Sequence, residues 1–419
     1  MSKRLLIVVG ILCLCLTNNL NAQSNALKRA FITHKLRTNL KDFVAYHLEN
    51  EALKLPTDVN SSLPSIESRS NDNFLDVTPE AESELHAAIN PRDTNNIIVC
   101  AMRNDPGNLV APLTFPIYYT NDFGATWQLS DFNGTSANDF ILGGGDPILV
   151  FDTEGTAYLC WLTLRFQLPL NFGIDLRFAT STDGGKTWEE SDTPIDSGDL
   201  LDAVGGDFSK FVDKEWLAID HSDSPYRNNI YAAYLTIQSF GDSLATNITF
   251  KKKTPTATNF QDSAIHVNSN AYKLVQFTSM DVDSKGQIHV TFAGTLDSLN
   301  WSLYYAKSKD GGETFTPEAK IADFHIPRLS GDEPESNVVG VDQDRLYPCP
   351  HTVVDKSGGN YDGYLYTVWT ANGAAQKKTE GLDIYFSRSK DGGNTWEAAY
   401  VLNDDQLPDS HQFYPKLLP

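Results

Sequence analysis

The sequence predicts an all-β fold, a β-propeller built from four-stranded units. Three observations support this prediction. A short motif recurs along the chain, strand-like segments surround each copy in the same order, and helix signals are nearly absent after residue 75. A unit of four antiparallel strands that recurs at intervals of about 55 to 80 residues is typical of a propeller blade, because such a unit buries its faces only by stacking on its neighbours.

The motif has the pattern Ser/Thr/Asn-x-Asp-x-Gly-x-Thr-aromatic, and its centre predicts a tight turn. Glycine tolerates positive φ, and the aspartate can accept hydrogen bonds from the backbone amides that follow it. We expect the aromatic residue to anchor the turn beside a neighbouring unit, so the four turns are predicted to be structural. The copies are YTNDFGATWQLS at 119–130, TSTDGGKTWEES at 180–191, KSKDGGETFTPE at 307–318 and SRSKDGGNTWEAA at 387–399, and their aspartates and aromatics are Asp122, Trp127, Asp183, Trp188, Asp310, Phe315, Asp391 and Trp396.

A fifth, degenerate copy is predicted between the second and third motifs, because the interval there is about twice the first interval. The segment FKKKTPTATNFQDS at 250–263 has lost the turn glycines and the aspartate but keeps Thr258, Asn259 and Phe260. The sequence therefore predicts five units.

Each unit is predicted to begin with an apolar strand, followed by a turn rich in Asp, Gly or Asn and by a second strand rich in Val and aromatic residues. A third strand, the motif turn and a short fourth strand complete it. DPILVFDTEGTAYLCWLTL at 146–164 and DLRFATSTDGGKTWEES at 175–191 show this order. The other units open with LHAAINPRDTNNIIVCAM at 85–102, EWLAIDHSDSPYRNNIYAAYL at 215–235, FTSMDVDSKGQIHVTF at 277–292 and PHTVVDKSGGNYDGYLYTVW at 350–369.

The N-terminal part of the chain differs from the repeated region. Residues 1–22 have a positive start, a short apolar run and a small-residue cleavage site, which together predict a secretory signal peptide. Residues 23–75 predict a helical segment followed by a polar linker. The propeller is then expected to occupy residues 76–419.

The C-terminal segment DSHQFYPKLLP at 409–419 is similar to the opening strand of a further blade. We therefore expect a six-bladed propeller of which this chain holds five blades and the start of a sixth, so that it is C-terminally incomplete. Alternatively, NFLDVT at 73–78 supplies one closing strand to an incomplete last blade.

The composition restricts the classes of partner that the protein is expected to bind. The formal net charge is −21, and so acidic a chain repels nucleic acid and anionic lipid. No second apolar run is long enough to cross a bilayer, so we expect a secreted or cell-surface protein without a membrane span. Cys100, Cys160 and Cys349 have no metal-ligand or redox spacing, so they are predicted to be core residues, and no metal or cofactor is expected.

The repeated turn resembles the Asp-box, or bacterial neuraminidase repeat, of the sialidase superfamily, and the resemblance covers residues 84–419. It implies a sialidase-like β-propeller. Similar boxes occur in sialidases, in some other glycosidases and in non-catalytic receptor propellers. The resemblance therefore implies a secreted sialidase-like glycoside hydrolase that acts on extracellular glycans. The alternative is a non-catalytic propeller that binds a glycan, a glycoprotein or another protein.

Ligands of propellers bind in the axial channel, beside the first strand of each blade, and this predicts a set of candidate channel residues. Carboxylates, tyrosines and an aromatic platform suit a sugar, although each of these residues also suits ordinary turn capping. The candidates are Glu84, His86, Asp146, Asp213, Lys214, Glu215, Trp216, Thr278, Arg345, Tyr347, His351, His411 and Tyr414.

Sialidases hold the sugar carboxylate with arginines, whose forked guanidinium groups grip both oxygens, and they use a Tyr–Glu pair and an acidic Asp. By this resemblance Arg103 and Arg345 bind substrate, with His86 in the place of the family's first arginine and Trp216 as a platform. A sialidase-type enzyme should bring at least two of Arg103, Arg328 and Arg345 to one ligand carboxylate. A binding module needs only aromatic and polar residues such as Trp216 and Tyr347.

The resemblance also implies three catalytic roles. Tyr347 is the expected nucleophile, Glu215 is its activating base and Asp105 is the general acid. The alternative for Asp105 and its neighbour Arg103 is a solvated loop pair, since NDPG at 104–107 is a strong turn sequence.

Overall fold

The computed structural model describes ten stretches of the chain and shows that they are all β, which confirms the predicted class. Within these stretches no residue is helical. The predicted signal peptide and helical segment, as well as Asp105, Arg328 and Arg345, lie outside the described residues. Those residues are 81–104, 113–132, 140–167, 171–201, 209–240, 243–298, 300–326, 347–374, 377–405 and 410–418.

The strands form five successive antiparallel units, which we number 1 to 5. Units 1 to 3 are separate sheets, whereas units 4 and 5 form one sheet through the pairing of Phe324 with Ala374. Unit 1 contains β1 (Ala81–Ile89), β2 (Ile97–Asn104), β3 (Leu113–Thr114), β4 (Ile117–Thr120) and β5 (Gln128–Leu129). Unit 2 contains β6 (Phe140–Phe151), β7 (Ala157–Gln167), β8 (Asn171–Ser181), β9 (Glu189–Glu190) and β10 (Asp196–Leu201). Unit 3 contains β11 (Lys210–Ile219), β12 (Ile230–Phe240), β13 (Ser243–Lys253) and β14 (Ile265–His266). Unit 4 contains β15 (Leu274–Val282), β16 (Ile288–Thr295), β17 (Trp301–Ser308) and β18 (Ala319–Phe324), and unit 5 contains β19 (His351–Val354), β20 (Leu365–Ala374), β21 (Lys377–Ser389) and β22 (Tyr400–Val401).

The first strand of each unit is its inner strand. The inner strands β1, β6, β11, β15 and β19 contact one another in chain order, as expected when successive units stack around an axis. The apolar core lies between the units: buried side chains of units 2, 3 and 4 form one continuous cluster. The degenerate fifth motif joins this core through Phe260, whose ring meets the Phe178 ring edge to face at 5.2 Å.

A non-glycine residue with positive φ recurs at the same step of all five units, within β1, β6, β11 and β15 and two residues before β19. In β1, β6, β11 and β15 this residue lies in a bulge, where the pairing register with the second strand shifts. Such a conformation costs about 1–3 kcal/mol, so its repetition shows that the geometry of the stacked units imposes it. The positions are Glu84 (53°), Asp146 (54°), Lys214 (49°), Phe277 (58°) and Cys349 (38°), and Tyr414 (56°) in the segment 410–418 has the same conformation.

Two residues after the positive-φ position, a side chain bonds to the next inner strand. The Leu149 amide donates to Nδ1 of His86 (3.2 Å), and the Thr352 amide donates to Oγ of Ser279 (3.0 Å). In unit 3 the Trp216 indole donates instead, to a backbone carbonyl of β15 at 2.8 Å. These bonds fix the height of each inner strand relative to the next.

The segment 410–418 lies against unit 5. The Gln412 amide donates to the Leu382 carbonyl at 2.8 Å, and the Leu382 amide donates to Nδ1 of His411 at 3.2 Å. Further along, the Tyr414 amide donates to Oγ1 of Thr370 at 3.1 Å. This segment is therefore tied to β20 and β21 through its backbone.

The four repeated turns share one hydrogen-bond pattern. In the first, the Thr126 amide and hydroxyl donate to the two carboxylate oxygens of Asp122 (2.8 and 2.6 Å), and Thr120 donates to the same group. The hydrogen bonds from Thr120 and Thr126 lower the pKa of Asp122 to about 2. Asp183, Asp310 and Asp391 accept the same threonine bonds.

The turns of units 2, 4 and 5 pack on the preceding unit. The Trp396 ring meets the Tyr305 ring of unit 4 at 5.4 Å, and Phe315 meets Phe250 of unit 3 at 5.0 Å. Trp188 packs against the cluster of buried residues between units 1 and 2. The turn of unit 1 differs, because the atoms nearest to Gly124 all belong to Trp127 of its own turn.

The three cysteines divide into two environments. Cys100 and Cys160 are fully buried, and burial raises the pKa of both thiols, in agreement with the predicted core role. Cys349 is only half-buried and occupies the positive-φ position of unit 5. All three sulfurs are free thiols.

Candidate functional site

The positive-φ residues of units 1, 2 and 3 bring three charged side chains together. Nζ of Lys214 lies 3.3 Å from Oε1 of Glu84 and 3.2 Å from Oδ1 of Asp146. The three side chains remain partly open to solvent, at 20, 27 and 12% of their full exposure for Lys214, Glu84 and Asp146. We call these three residues the axial charge cluster.

The lysine acts as a shared counter-ion in this cluster. Burial opposes its charge, but the attraction of Asp146 and Glu84 raises the pKa of Lys214 well above its usual value. An ammonium group held between two carboxylates favours the ionised form of both. The cluster therefore carries one net negative charge.

A second carboxyl group lies next to the cluster on β11. Glu215 is 4% exposed, and both of its carboxyl oxygens have no hydrogen-bond partner among the residues that the structure describes. Burial, with a contribution from the negative charge of Asp146, raises the pKa of Glu215 well above its usual range. Its charge also raises the pKa of the Cys160 thiol on β7, which places the group toward unit 2. Burial therefore disfavours the ionised form of Glu215.

The predicted pair of Tyr347 and Glu215 is not joined by a hydrogen bond. The Tyr347 ring packs instead on the ring of Phe277, with the centroids 5.0 Å apart and the planes tilted by 32°. Glu215 lies within the bulge of β11, between Asp213 and Trp216, and its burial disfavours the ionised form that an activating base requires.

The aromatic pair of Phe277 and Tyr347 packs in the apolar core shared by units 4 and 5, where the Phe277 ring is only 4% exposed. Between the aromatic pair and the charge cluster, the Gln276 amide nitrogen donates to Oδ2 of the fully buried Asp213 at 3.3 Å. This bond connects the strands β11 and β15 immediately before their positive-φ residues. The charge cluster and Tyr347 are thus partly open to solvent, whereas Phe277 is buried.

A second group of side chains lies two residues further along the inner strands. The Trp216 ring is 6.1 Å from the His86 ring and 5.1 Å from the His351 ring. Nζ of Lys416 lies 5.1 Å from the centre of the Trp216 ring, a cation–π contact. The structure therefore brings together His86 and Trp216, both predicted to bind substrate, and adds His351 and Lys416.

Both histidines in this group are neutral at neutral pH. Burial and the nearby charge of Lys416 lower the pKa of His351 to about 3, and the same two causes lower the pKa of His86 well below its usual value. Each ring uses Nδ1 to accept a backbone amide, which requires the neutral form.

The arginines that the structure describes lie elsewhere. The Arg103 guanidinium donates to the Tyr118 hydroxyl on β4 at 2.6 Å, on the far side of β2 from the inner strand. No described residue of an inner strand is an arginine. The remaining described arginines pair with carboxylates: Arg92 with Glu154, Arg165 with Asp175, Arg177 with Glu190, Arg227 with Asp223 and Arg388 with Glu397.

Sequence reasoning named Lys214 and His351 as channel residues but missed how they act. It also missed Lys416. One signal was present: an X-Pro dipeptide recurs at the positive-φ step, as Asp146-Pro147, Cys349-Pro350 and Tyr414-Pro415. Within the described stretches no group of three or more His, Cys, Asp or Glu side chains has the geometry to hold a metal ion.

Comparison with known proteins supports the repeat and the fold. The BNR/Asp-box repeat family matches residues 179–190, so the chain carries this repeat. No curated protein matches the sequence.

Three solved structures are similar to this chain. The GH93 α-L-arabinofuranosidase of Fusarium graminearum, in complex with arabinobiose, is 13% identical over 82% of this chain and 87% of its own, with a TM-score of 0.50. A protein of unknown function from Dyadobacter fermentans is 14% identical over 77 and 83%, with a TM-score of 0.45. The NanB sialidase of Streptococcus pneumoniae is 10% identical over 80 and 64%, with a TM-score of 0.46. The first of these shows that the chain has a glycoside-hydrolase-like fold.

Proposed function

We propose that this Asp-box protein is a secreted glycoside hydrolase that acts on extracellular glycans and binds them at the axis. One observation supports the proposal above all others. The charge cluster of Glu84, Asp146 and Lys214 supplies partly exposed carboxylates where three inner strands meet, and the half-buried ring of Tyr347 at the start of unit 5 supplies an aromatic face.

Such a two-sided site suits a sugar ring. Hydroxyl groups at the edge of the ring donate hydrogen bonds to carboxylates, and these charge-assisted bonds are the strong ones. The apolar C–H face of the ring packs on aromatic side chains, which line most small-ligand sites. Trp216 and His86, two residues further along the strands, would then contact the buried end of the ligand.

The site also offers two carboxyl groups in different protonation states. Glycosidases pair a carboxylic acid of raised pKa with an ionised carboxylate. Here burial raises the pKa of Glu215 well above its usual range, whereas the ammonium of Lys214 lies 3.2 Å from Oδ1 of Asp146 and favours its ionised form. We assign the proton-donor role to Glu215 and the charge-stabilising role to Asp146, and Tyr347 stays the candidate nucleophile.

The secreted location is part of the same proposal. It rests on the predicted signal peptide at 1–22 and on the acidic charge of the chain. Within the part of the chain that the structure describes, no helix could span a bilayer. Arg345 stays a candidate for substrate binding, and Asp105 stays the alternative to Glu215 as the general acid.

The number of units is also proposed. We propose a ring of six units in which residues 410–418 form the inner strand of the sixth. Two features support this: Tyr414 repeats the positive φ of the inner strands, and the Leu417 amide donates to Nδ1 of His351 as the Leu149 amide does to His86.

A second candidate function, non-catalytic binding of a glycan or protein, is favoured by the burial of Glu215. At 4% exposure and without a hydrogen bond to Tyr347, its carboxyl group offers no assembled nucleophile and base. A scaffold that only recognises its ligand needs neither.

The test is release of a fluorescent aglycone from a panel of synthetic glycosides by the full chain. The panel includes arabinofuranosides and sialosides, and binding to a glycan array is measured in parallel. Asp146→Asn and Tyr347→Phe are compared with Glu154→Gln, a matched change in a peripheral ion pair. Turnover of one sugar that is lost in the first two variants and kept in the third supports the hydrolase. Glycan binding without turnover supports the second candidate, and absence of both contradicts the axial glycan site.

A further inference from the structure

We infer that the axial site selects uncharged glycans and excludes sugars that carry a carboxylate. This inference rests on the proposed glycan site and names its substrate class. It concerns binding alone, so it holds or fails whether or not the protein turns its ligand over.

The charge of the site opposes an anionic ligand. Glu84 and Asp146 supply two carboxylates against the single ammonium of Lys214, which both of them already contact within 3.3 Å. A ligand carboxylate could reach Lys214 only by displacing one of these partners. The fully buried Asp213 on the same strand adds negative charge, as its contribution to the raised pKa of Lys214 shows. The net charge of −21 for the whole chain acts in the same direction.

The described arginines, which are the residues best suited to bind a carboxylate, have their partners away from the axial site. A forked guanidinium matches the two oxygens of a carboxylate, and lysine does not imitate this geometry. Every arginine that the structure describes pairs with a carboxylate or, for Arg103, with the Tyr118 hydroxyl. None of them lies on an inner strand.

One other cation lies at the axis. Lys416 faces the Trp216 ring at 5.1 Å, between the neutral rings of His86 and His351. The ring face of Trp216 already contacts this ammonium, which is a point charge without the forked geometry of a guanidinium. Among the described residues of the axis, Lys416 is therefore the cation to test if an acidic sugar binds.

An uncharged sugar meets none of these penalties. Its hydroxyl groups can donate to the partly exposed carboxylates of Glu84 and Asp146, and its ring face can lie on the half-buried ring of Tyr347. Each hydrogen bond to a charged group contributes roughly tenfold to hundredfold in affinity.

The experiment uses the full chain and matched pairs of oligosaccharides that differ by one carboxylate. Suitable pairs are glucosides with glucuronides, galactosides with galacturonides and lactose with sialyllactose. Binding is measured by titration calorimetry at pH 7 in low and in physiological salt. We expect the uncharged member of at least one pair to bind about tenfold or more tightly than its acidic partner. The ratio of the two affinities within a pair should decrease at higher salt, because salt screens the charges of the site.

Three variants test whether the difference in affinity arises at the axial charge cluster. Asp146→Asn and Glu84→Gln keep the shape of the side chain and should each weaken binding of the uncharged sugar about tenfold while narrowing the discrimination. Glu154→Gln, at the periphery, should change neither. Circular dichroism spectra that match the parent show that each variant is folded.

Two results would overturn the inference. One is preferential binding of the acidic member of a pair, which Lys416→Met, Arg345→Ala or Arg328→Ala abolishes. The other is equal binding of both members. If no sugar of either class binds at millimolar concentration, the proposed glycan site fails as well, and this outcome is distinct from the first two.

Discussion

The backbone amide of Leu417 donates a hydrogen bond to Nδ1 of His351 at 2.9 Å. The amide of Leu149 stands in the same relation to His86, at 3.2 Å, and both donors lie three residues after a residue with positive φ. The segment 410–418 is therefore placed against β19 as β6 is placed against β1. Its height at the axis, and with it the position of Lys416 over Trp216, depends on this bond.

Removing the Leu417 amide should loosen the segment. Leu417→Pro deletes the donor and leaves the half-buried His351 nitrogen without its partner, so we expect the free energy of unfolding to fall by about 1–3 kcal/mol. Leu418→Pro is the matched control, because this side chain is 91% exposed. Urea unfolding monitored by tryptophan fluorescence measures both. Equal effects of the two substitutions would contradict the proposed role of the bond.

The repeated turns should differ in how much they depend on a neighbouring unit. Gly185 (φ 93°) and Gly124 (φ 88°) occupy the same step of two turns, so an alanine is strained at either by about 1–3 kcal/mol. A Cβ at Gly185 would also lie 2.6 Å from Ile98 of unit 1, whereas at Gly124 it meets only Trp127 at 3.5 Å. We expect Gly185→Ala to destabilise the protein by about 1–3 kcal/mol more than Gly124→Ala, because of this overpacking. Thermal unfolding of the two variants measures this difference. Equal destabilisation by both substitutions would mean that the contact with unit 1 does not constrain the turn of unit 2.

The turns and strands were predictable from the sequence, because their chemistry is local. Asp183 and Thr187 carry the turn in a short window, and even the degenerate motif was recognised through Phe260, which is buried as expected. The positive-φ step was not predictable, because Glu84, Asp146 and Lys214 share no residue type that favours it. The packing of consecutive units imposes that conformation.

The candidate site was likewise predictable from the sequence only in part. The sequence predicted the residues of the axis as a set, because they lie at the starts of the first strands, and their binding role stays a prediction. It could not assign their roles, which depend on contacts between units. Lys214 bridges two other units, and Glu215, one residue later, is buried, which raises its pKa.

The charge cluster should depend on Lys214 through electrostatics. In Lys214→Met the carboxylates of Glu84 and Asp146 lose their counter-ion and repel each other. Because the three side chains are partly exposed, we expect the free energy of unfolding to fall by about 2 kcal/mol at pH 7. This value lies between those of surface and buried ion pairs. Lys214→Arg keeps the positive charge, so its free energy of unfolding should fall by less than that of Lys214→Met.

The pH dependence separates this effect from packing. At pH 4 the freed carboxylates of the methionine variant can take up protons, which removes their repulsion. The difference in unfolding free energy between Lys214→Met and Lys214→Arg should therefore be smaller at pH 4 than at pH 7. A difference that stays constant would assign the effect of the substitution to side-chain shape.

The two axial histidines should make stability depend on mild acid. The folded state holds the pKa of His351 at about 3 and that of His86 well below its usual value, whereas in the unfolded chain both are near 6.5. Below pH 6.5 the unfolded chain binds protons that the folded chain does not, so stability is full above that pH and falls as the pH decreases toward 3. Each histidine contributes about 1.4 kcal/mol per pH unit within this window. His351→Asn keeps an acceptor near the position of Nδ1 but does not titrate, so urea unfolding between pH 7 and 5 should show a shallower slope in this variant. An unchanged slope would show that His351 is protonated in the folded protein, and the amide of Leu417 would then lack its acceptor.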